Sequence, residues 1–224
     1  MRTVIFDLDG TLADTSGDLI AAANAVLTKQ GCGSQLDFES DRLLAFQGGR
    51  EMLRMGLERA GRAFEEKWVA RTGYDMFIKE YEAALSVHTI LYPECEESLA
   101  KLAETGWRLG VCTNKPETLA RMLLTDLGVM DRFGALIGAD TLAVRKPHPE
   151  PLWRAITEVG GIRSRALLVG DTDTDFRTAR AAQVPIVMTA FGPQREVALS
   201  LEPDALIENY SELPEIASRL CASA

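Results

Sequence analysis

The chain has 224 residues, 46% of them hydrophobic and 25% charged, enough to bury a full core in one or two domains. Its net charge of −9 at pH 7 and pI near 4.9 argue against a nucleic-acid-binding surface and require local cations for any anionic substrate. The N-terminal residues lack a signal-peptide pattern, and no stretch approaches the ~18 apolar residues of a membrane span, so no membrane partner and a cytoplasmic location are expected.

Residues 2–11 read Arg-Thr-Val-Ile-Phe-Asp-Leu-Asp-Gly-Thr, an apolar strand over Thr3–Leu8 that runs into two acids. Asp7 and Asp9 stand two positions apart in extended chain, so their side chains lean to the same side. Carboxylates held that close call for a bound cation or a shared proton. The alternative is an Asp9-Gly10 hairpin turn.

From Thr15 to about Ser86 the pattern is helical. Leu19, Ile20, Ala23 and Leu27 precede Gly31; Met52, Leu53, Leu57 and Ala60 precede Gly61; a third helix carries Trp68, Val69, Phe77, Tyr81 and Leu85. Roughly seventy residues of helix are too many for one crossover between strands. The expected organisation is therefore a core of residues 1–14 and 87–224 with an inserted helical subdomain over 15–86, placed above the carboxyl ends of the strands. Gln47-Gly48-Gly49-Arg50 reads as a flexible loop carrying a cation into a helix. Arg50 either reaches a second anionic group of the substrate or is an exposed helix-start arginine.

After residue 90, short apolar runs at Trp107–Thr113, Ala135–Ile137, Ala166–Val169, Pro185–Thr189 and Ala205–Ile207 alternate with helical segments. These include Glu94–Thr105, a helix opened by Pro116 and closed by Gly128, and one opened by Pro149 and closed by Gly160. That alternation predicts an α/β fold, a doubly wound parallel sheet with helices on both faces. No Gly-rich nucleotide fingerprint is present, so any phosphate has to be held mainly by side chains and a metal. The four scattered cysteines, Cys32, Cys95, Cys112 and Cys221, form no CxxC and are expected to be free thiols. His88 and His148 show no metal-ligand spacing.

Three further polar clusters follow strands. In Val111-Cys112-Thr113-Asn114-Lys115, a hydroxyl and main-chain N–H groups at a helix start favour an anion, or Thr113 or Asn114 simply caps the helix. In Arg145-Lys146-Pro147-His148-Pro149-Glu150-Pro151, alternate prolines stiffen the backbone beside a lysine that either neutralises a carboxylate and a phosphoryl group or lies solvated on the surface. Leu168-Val169-Gly170-Asp171-Thr172-Asp173-Thr174-Asp175 has acids at alternate positions but is no EF-hand, since Phe176 stands where that loop needs glycine. A strand-end cluster holding Mg²⁺ fits better, with Asp173 the expected cap of the next helix.

Asp-Leu-Asp-Gly-Thr-Leu, Thr113-Asn114, Lys146-Pro147 and Gly-Asp-Thr-Asp-Thr-Asp together resemble, in order and across the whole chain, the four motifs of the haloacid dehalogenase superfamily. The helical insert resembles that superfamily's small cap, and Lys-Pro-His-Pro-Glu-Pro resembles its phosphoglycolate phosphatase branch. The resemblance implies a Mg²⁺-dependent phosphomonoesterase acting on a small phosphorylated metabolite. Asp7 would be the nucleophile and Asp9 the acid and base. Asp7, the Asp9 carbonyl and Asp171 would hold the metal, with Asp175 direct or through water, and Thr113, the Asn114 amide and Lys146 would hold the phosphoryl oxygens. Asp9 argues against a dehalogenase, whose halide leaves without a proton. A mutase or phosphonate hydrolase would need further groups from the cap, where Lys67 and Lys79 lie, and a non-catalytic binding protein would not need all four clusters. The resemblance departs at Gln183, where the helix after the fourth motif commonly ends in glycine. The assembly is expected to be a monomer or a homodimer.

Overall fold

The computed structural model describes residues 1–222. The chain divides into two compact units, Met1–Asp14 with Leu91–Ala224, and Thr15–Ile90.

The first unit is built on a six-stranded sheet. Its strands are β1 (Thr3–Phe6), β4 (Arg108–Cys112), β5 (Ala135–Ile137), β6 (Ala166–Gly170), β7 (Ile186–Thr189) and β8 (Ala205–Ile207), in the order β5-β4-β1-β6-β7-β8. Every pairing is parallel. Two-residue strands β2 (Ala13–Asp14) and β3 (Ile90–Leu91) pair separately, at the two points where the chain passes between the units. The runs without polar alternation are buried on both faces, as parallel strands are; all of β1, β6 and β7 is buried. Ile5, Ile137, Leu168, Ile186 and Met188 join Leu152 and Ile156 of one helix and Ala179 and Ala182 of another in one core cluster.

The first unit's helices are α6 (Cys95–Glu104), α7 (Glu117–Asp126), α8 (Glu150–Glu158), α9 (Asp173–Ala182), α10 (Arg195–Ser200) and α11 (Leu213–Ala222). Those of the second are α1 (Ser16–Lys29), α2 (Arg42–Ala45), α3 (Gly49–Arg59), α4 (Glu66–Trp68) and α5 (Tyr74–Ala83). Helix α1 packs against α3 and α5. The segment expected as one helix through Trp68 and Leu85 is interrupted by a π-helical turn, Val69–Gly73. Gly73 makes room there: a Cβ on it would lie 2.7 Å from the Trp68 ring. The insert is not helical throughout either. Residues 32–37 form an irregular segment tied to α1 by Asn24, whose Oδ1 accepts from the main-chain N–H groups of Gln35 and Leu36 and whose Nδ2 donates to the Leu36 carbonyl.

The second unit runs four residues past the expected boundary at 86, to Ile90. Buried Asp18 is the reason. Its carboxylate accepts from the main-chain N–H groups of His88 and Thr89 and from the Thr89 hydroxyl, so this segment is fastened to α1.

β1 stops at Phe6, two residues short of the expected Leu8, because the chain folds into a tight turn in which the Leu8 carbonyl accepts from the N–H groups of Thr11, Leu12 and Ala13. Gly10 occupies that turn at φ 79°. It is no hairpin, since both neighbours of β1 are parallel strands from far along the chain. All four cysteines are free thiols. Among the described residues no helix is long and apolar enough to cross a membrane.

Candidate active site

Register assembles the site. Phe6 stands opposite Val111 of β4 and Val169 of β6, so the residues that follow each strand, Asp7, Thr113 and Asp171, emerge at one edge of the sheet. β1 lies at the centre, where connections leave to either side, the position at which open α/β sheets form their crevice.

Asp7 is buried. Its Oδ1 accepts from Leu8 N at 2.7 Å and faces Lys146 Nζ at 3.0 Å. The same ammonium donates to Asp175 Oδ1 at 2.5 Å. Lys146 is therefore a buried bridge and not a solvated surface lysine. Its main chain, which enters a cis Lys146–Pro147 peptide, is held by a 3.0 Å hydrogen bond from Asn114 Nδ2 to the Lys146 carbonyl. That occupies the side-chain amide of Asn114.

The fourth cluster builds the opposite wall. Asp171 Oδ1 accepts from Thr11 Oγ1 at 2.7 Å, while Asp171 Oδ2 is buried without a hydrogen-bond partner. Asp175 lies in the first turn of α9, where its Oδ2 accepts from the main chain and hydroxyl of Thr172 in a capping box. Thr172, not Asp173, is the cap; Asp173 is exposed and faces Arg177 one turn on. With Oδ1 on Lys146, both oxygens of Asp175 are engaged.

Carboxylate oxygens of Asp7, Asp171 and Asp175 lie within 4.8 Å of one another, all buried. Three acids around one ammonium leave excess negative charge in a low-dielectric place. Burial, then the neighbouring Asp175, pushes the Asp7 carboxyl up to about 7 against the opposing pull of Lys146. Asp171 is driven well above the carboxylate range for the same reasons, burial first. Burial works against the charge on Lys146, but Asp175 and Asp7 outweigh it and its pKa rises. An orphaned, buried carboxylate oxygen amid surplus negative charge fits a hard divalent cation with oxygen ligands.

Asp9 is half-buried and pairs with Lys115, whose Nζ lies 2.8 Å from Asp9 Oδ1. Neither Lys115 nor Thr11 was singled out by sequence reasoning. Lys115 adjoins Thr113-Asn114 and Thr11 closes the first motif, so adjacency was the available signal, while their partners lie far away in sequence. Arg50 belongs to the helical unit, where its Nε donates to the Ala70 carbonyl at 3.2 Å and its guanidinium stacks 3.6 Å above the Tyr74 ring.

The sequence profile of the haloacid dehalogenase-like hydrolases matches residues 4–189. The chain belongs to that family. Phosphoglycolate phosphatase of Xanthomonas campestris pv. campestris (strain 8004) is 37% identical over 219 residues, covering 97% of this chain and 96% of its own. Phosphoglycolate phosphatase of Rhodospirillum rubrum is 38% identical over 216 residues, covering 95% and 89%. A haloacid dehalogenase-like hydrolase of Streptococcus pneumoniae shares the fold at TM-score 0.81 and 19% identity, with 96% of this chain and 97% of that one aligned. The four clusters of this haloacid dehalogenase-like hydrolase all lie in its α/β unit.

Proposed function

We propose that the chain is a Mg²⁺-dependent phosphomonoesterase acting on a small phosphorylated metabolite, with phosphoglycolate its leading substrate. The observation that carries this reading is the pair at the end of β1. Asp7 lies beside an ammonium and an orphaned metal-type oxygen, and Asp9, two residues on, pairs with a second ammonium, that of Lys115.

An Asp7 oxygen attacks phosphorus in line as the bond from phosphorus to the ester oxygen breaks, which leaves an acyl phosphate on Asp7. Asp9 gives its proton to the departing oxygen, then takes one from the water that attacks phosphorus and frees Asp7. Thr113 Oγ1, the main-chain N–H of Asn114 and Lys146 hold the phosphoryl oxygens; the N–H is the contact meant for Asn114, since its side chain is engaged on Lys146. Asp7, the Asp9 carbonyl and Asp171 would hold Mg²⁺, and the double engagement of Asp175 favours contact through water. Bound there, the cation offsets the repulsion between a carboxylate and a phosphoryl group.

Asp9 disfavours a dehalogenase. A Schiff-base phosphonate hydrolase needs a desolvated lysine, and Lys67 and Lys79 in the helical unit are both exposed. The free thiols agree with a reducing, cytoplasmic setting. The test is phosphate release from p-nitrophenyl phosphate with Mg²⁺, which EDTA and Asp7→Asn should each abolish. Activity that persists in Asp7→Asn would overturn the nucleophile assignment.

A further inference from the structure

We propose that Gly192, in the loop between β7 and α10, is a positioning residue for the acid cluster: the loop seats on the Gly10 carbonyl, and that seat fixes the turn that holds Asp171. The inference rests on the Mg²⁺ site of the proposed function and goes beyond it by giving a role to a loop outside the four clusters.

The loop is itself pinned. Ala190 N donates to the Ile207 carbonyl of β8 at 2.8 Å, the Ala190 carbonyl accepts from Arg195 Nη1 at 2.7 Å, and the Gly192 carbonyl accepts from Arg195 N at 3.3 Å. Between these ties the Phe191 ring packs on two tyrosines, its centroid 4.8 Å from that of Tyr92 and 5.3 Å from that of Tyr210. Both tyrosines hold the turn that follows Asp9. The Tyr92 N–H donates to the Leu12 carbonyl at 3.1 Å, and the Tyr210 hydroxyl donates to the Thr11 carbonyl at 2.8 Å. Gly192 meets the same turn directly. A Cβ on it would lie 3.3 Å from the Gly10 carbonyl oxygen and 3.2 Å from Tyr92 Oη. Its backbone lies outside the left-handed region, so glycine supplies room here and not conformational freedom.

From that turn the path to the acids is short. A Cβ on Gly10 would lie 2.2 Å from Asp171 Oδ2, and Thr11 Oγ1 holds Asp171 Oδ1 at 2.7 Å. Gly10 is thus bounded by Asp171 at its Cα and by Gly192 at its carbonyl. Close-packed interiors transmit a displacement more readily than they absorb it. A methyl group at position 192 that pushes the Gly10 carbonyl away therefore moves both contacts of Asp171. Groups that orient a metal ligand set its affinity although they never touch the metal.

The experiment titrates Mg²⁺ calorimetrically into wild type, Gly192→Ala, Tyr92→Phe and the double variant, and follows amide hydrogen exchange in the metal-free proteins. Gly192→Ala should weaken Mg²⁺ binding about 10-fold, the scale of disturbing a group that orients a metal ligand. It should also speed exchange at the N–H groups of Thr11, Leu12 and Ala13, which donate to the Leu8 carbonyl. Tyr92→Phe removes the oxygen 3.2 Å from the added methyl. In that background Gly192→Ala should therefore cost much less affinity than it does alone, a coupling that independent sites would not show. Phe191→Leu leaves position 192 untouched and should speed the same exchange, which carries the test if Gly192→Ala does not fold. Unchanged exchange in Phe191→Leu would overturn the proposal. So would a Gly192→Ala protein that melts earlier yet binds Mg²⁺ like wild type, or losses that simply add in the double variant. A wild type that binds no Mg²⁺ would instead remove the metal reading, and this inference with it.

Discussion

The Tyr210 phenol donates a 2.8 Å hydrogen bond to the main-chain carbonyl of Thr11, 199 residues earlier in the chain. Both residues are fully buried. The hydroxyl of Thr11 in turn holds Asp171 Oδ1, so a tyrosine near the C-terminus steadies a carboxylate at the centre of the site. Tyr210→Phe keeps the ring and removes the donor. It should cost about 1–2 kcal/mol of stability and weaken Mg²⁺ binding several-fold, measured by chemical denaturation and by calorimetric titration of the folded protein. Unchanged Mg²⁺ affinity would show that Thr11 holds Asp171 without help.

Gly10 meets Asp171 from the other direction. At φ 79° it occupies the left-handed region, and a Cβ there would lie 2.2 Å from Asp171 Oδ2, the orphaned oxygen. Gly10→Ala should therefore push Asp171 aside and abolish Mg²⁺-dependent turnover. Backbone strain adds about 1–2 kcal/mol of destabilisation. Paired measurements of Mg²⁺ binding and thermal unfolding separate the two effects.

Stability should depend on pH through Asp7 with a definite sign. Its folded value near 7 exceeds the ordinary carboxyl value of 3.8. Between those values the folded state binds more protons than the unfolded state, so this group's contribution to stability is full at low pH and is lost as pH rises through 7. Asp7→Asn removes the titration. Without divalent cations this variant should melt above wild type at pH 8, with the gap shrinking toward pH 5. Mg²⁺ should stabilise wild type more at pH 8 than at pH 5, since it competes with the proton for the same acids. A gap that widens toward pH 5 would reverse the sign and reject the account.

Gln183 ends α9 in the left-handed conformation at φ 56°, where glycine is favoured. Its N–H and that of Val184 turn back to the carbonyls of Arg180 and Ala179, so the helix end is made at the expense of backbone strain. Gln183→Gly should stabilise the protein by up to about 1 kcal/mol and leave phosphatase kinetics unchanged, since the residue lies at the far end of α9 from Asp175. Thermal unfolding and steady-state rates check both parts.

Much of the α/β unit is legible from local chemistry. Ala135–Ile137 and Ala205–Ile207 are strands at the residues where short apolar runs place them, and Pro116 and Gly128 flank α7 as punctuation predicts. The helical insert is harder. One periodic pattern covers a helix, a π turn and a second helix, because period responds to which residues are apolar and not to the bulk of Trp68 over Gly73. The boundary at 86 missed Ile90 because residues 88 and 89 belong to α1 through hydrogen bonds to Asp18, a contact without local signature.

By itself the sequence determined the order of strands and helices, the inserted helical segment and the acids, threonine and lysine proposed for the site, because each depends on residue type and near-neighbour spacing. Only the tertiary structure decided their pairings: Lys115 with Asp9, Lys146 between Asp7 and Asp175, Thr11 on Asp171, and Thr172 as the cap that holds Asp175. Apart from that last pair, these contacts join residues tens to more than a hundred positions apart. The contacts of Asp9 and Thr11 arise from the parallel register of β1 with β4 and β6, and that register comes from packing two faces of a sheet at once, which no local run of residues records.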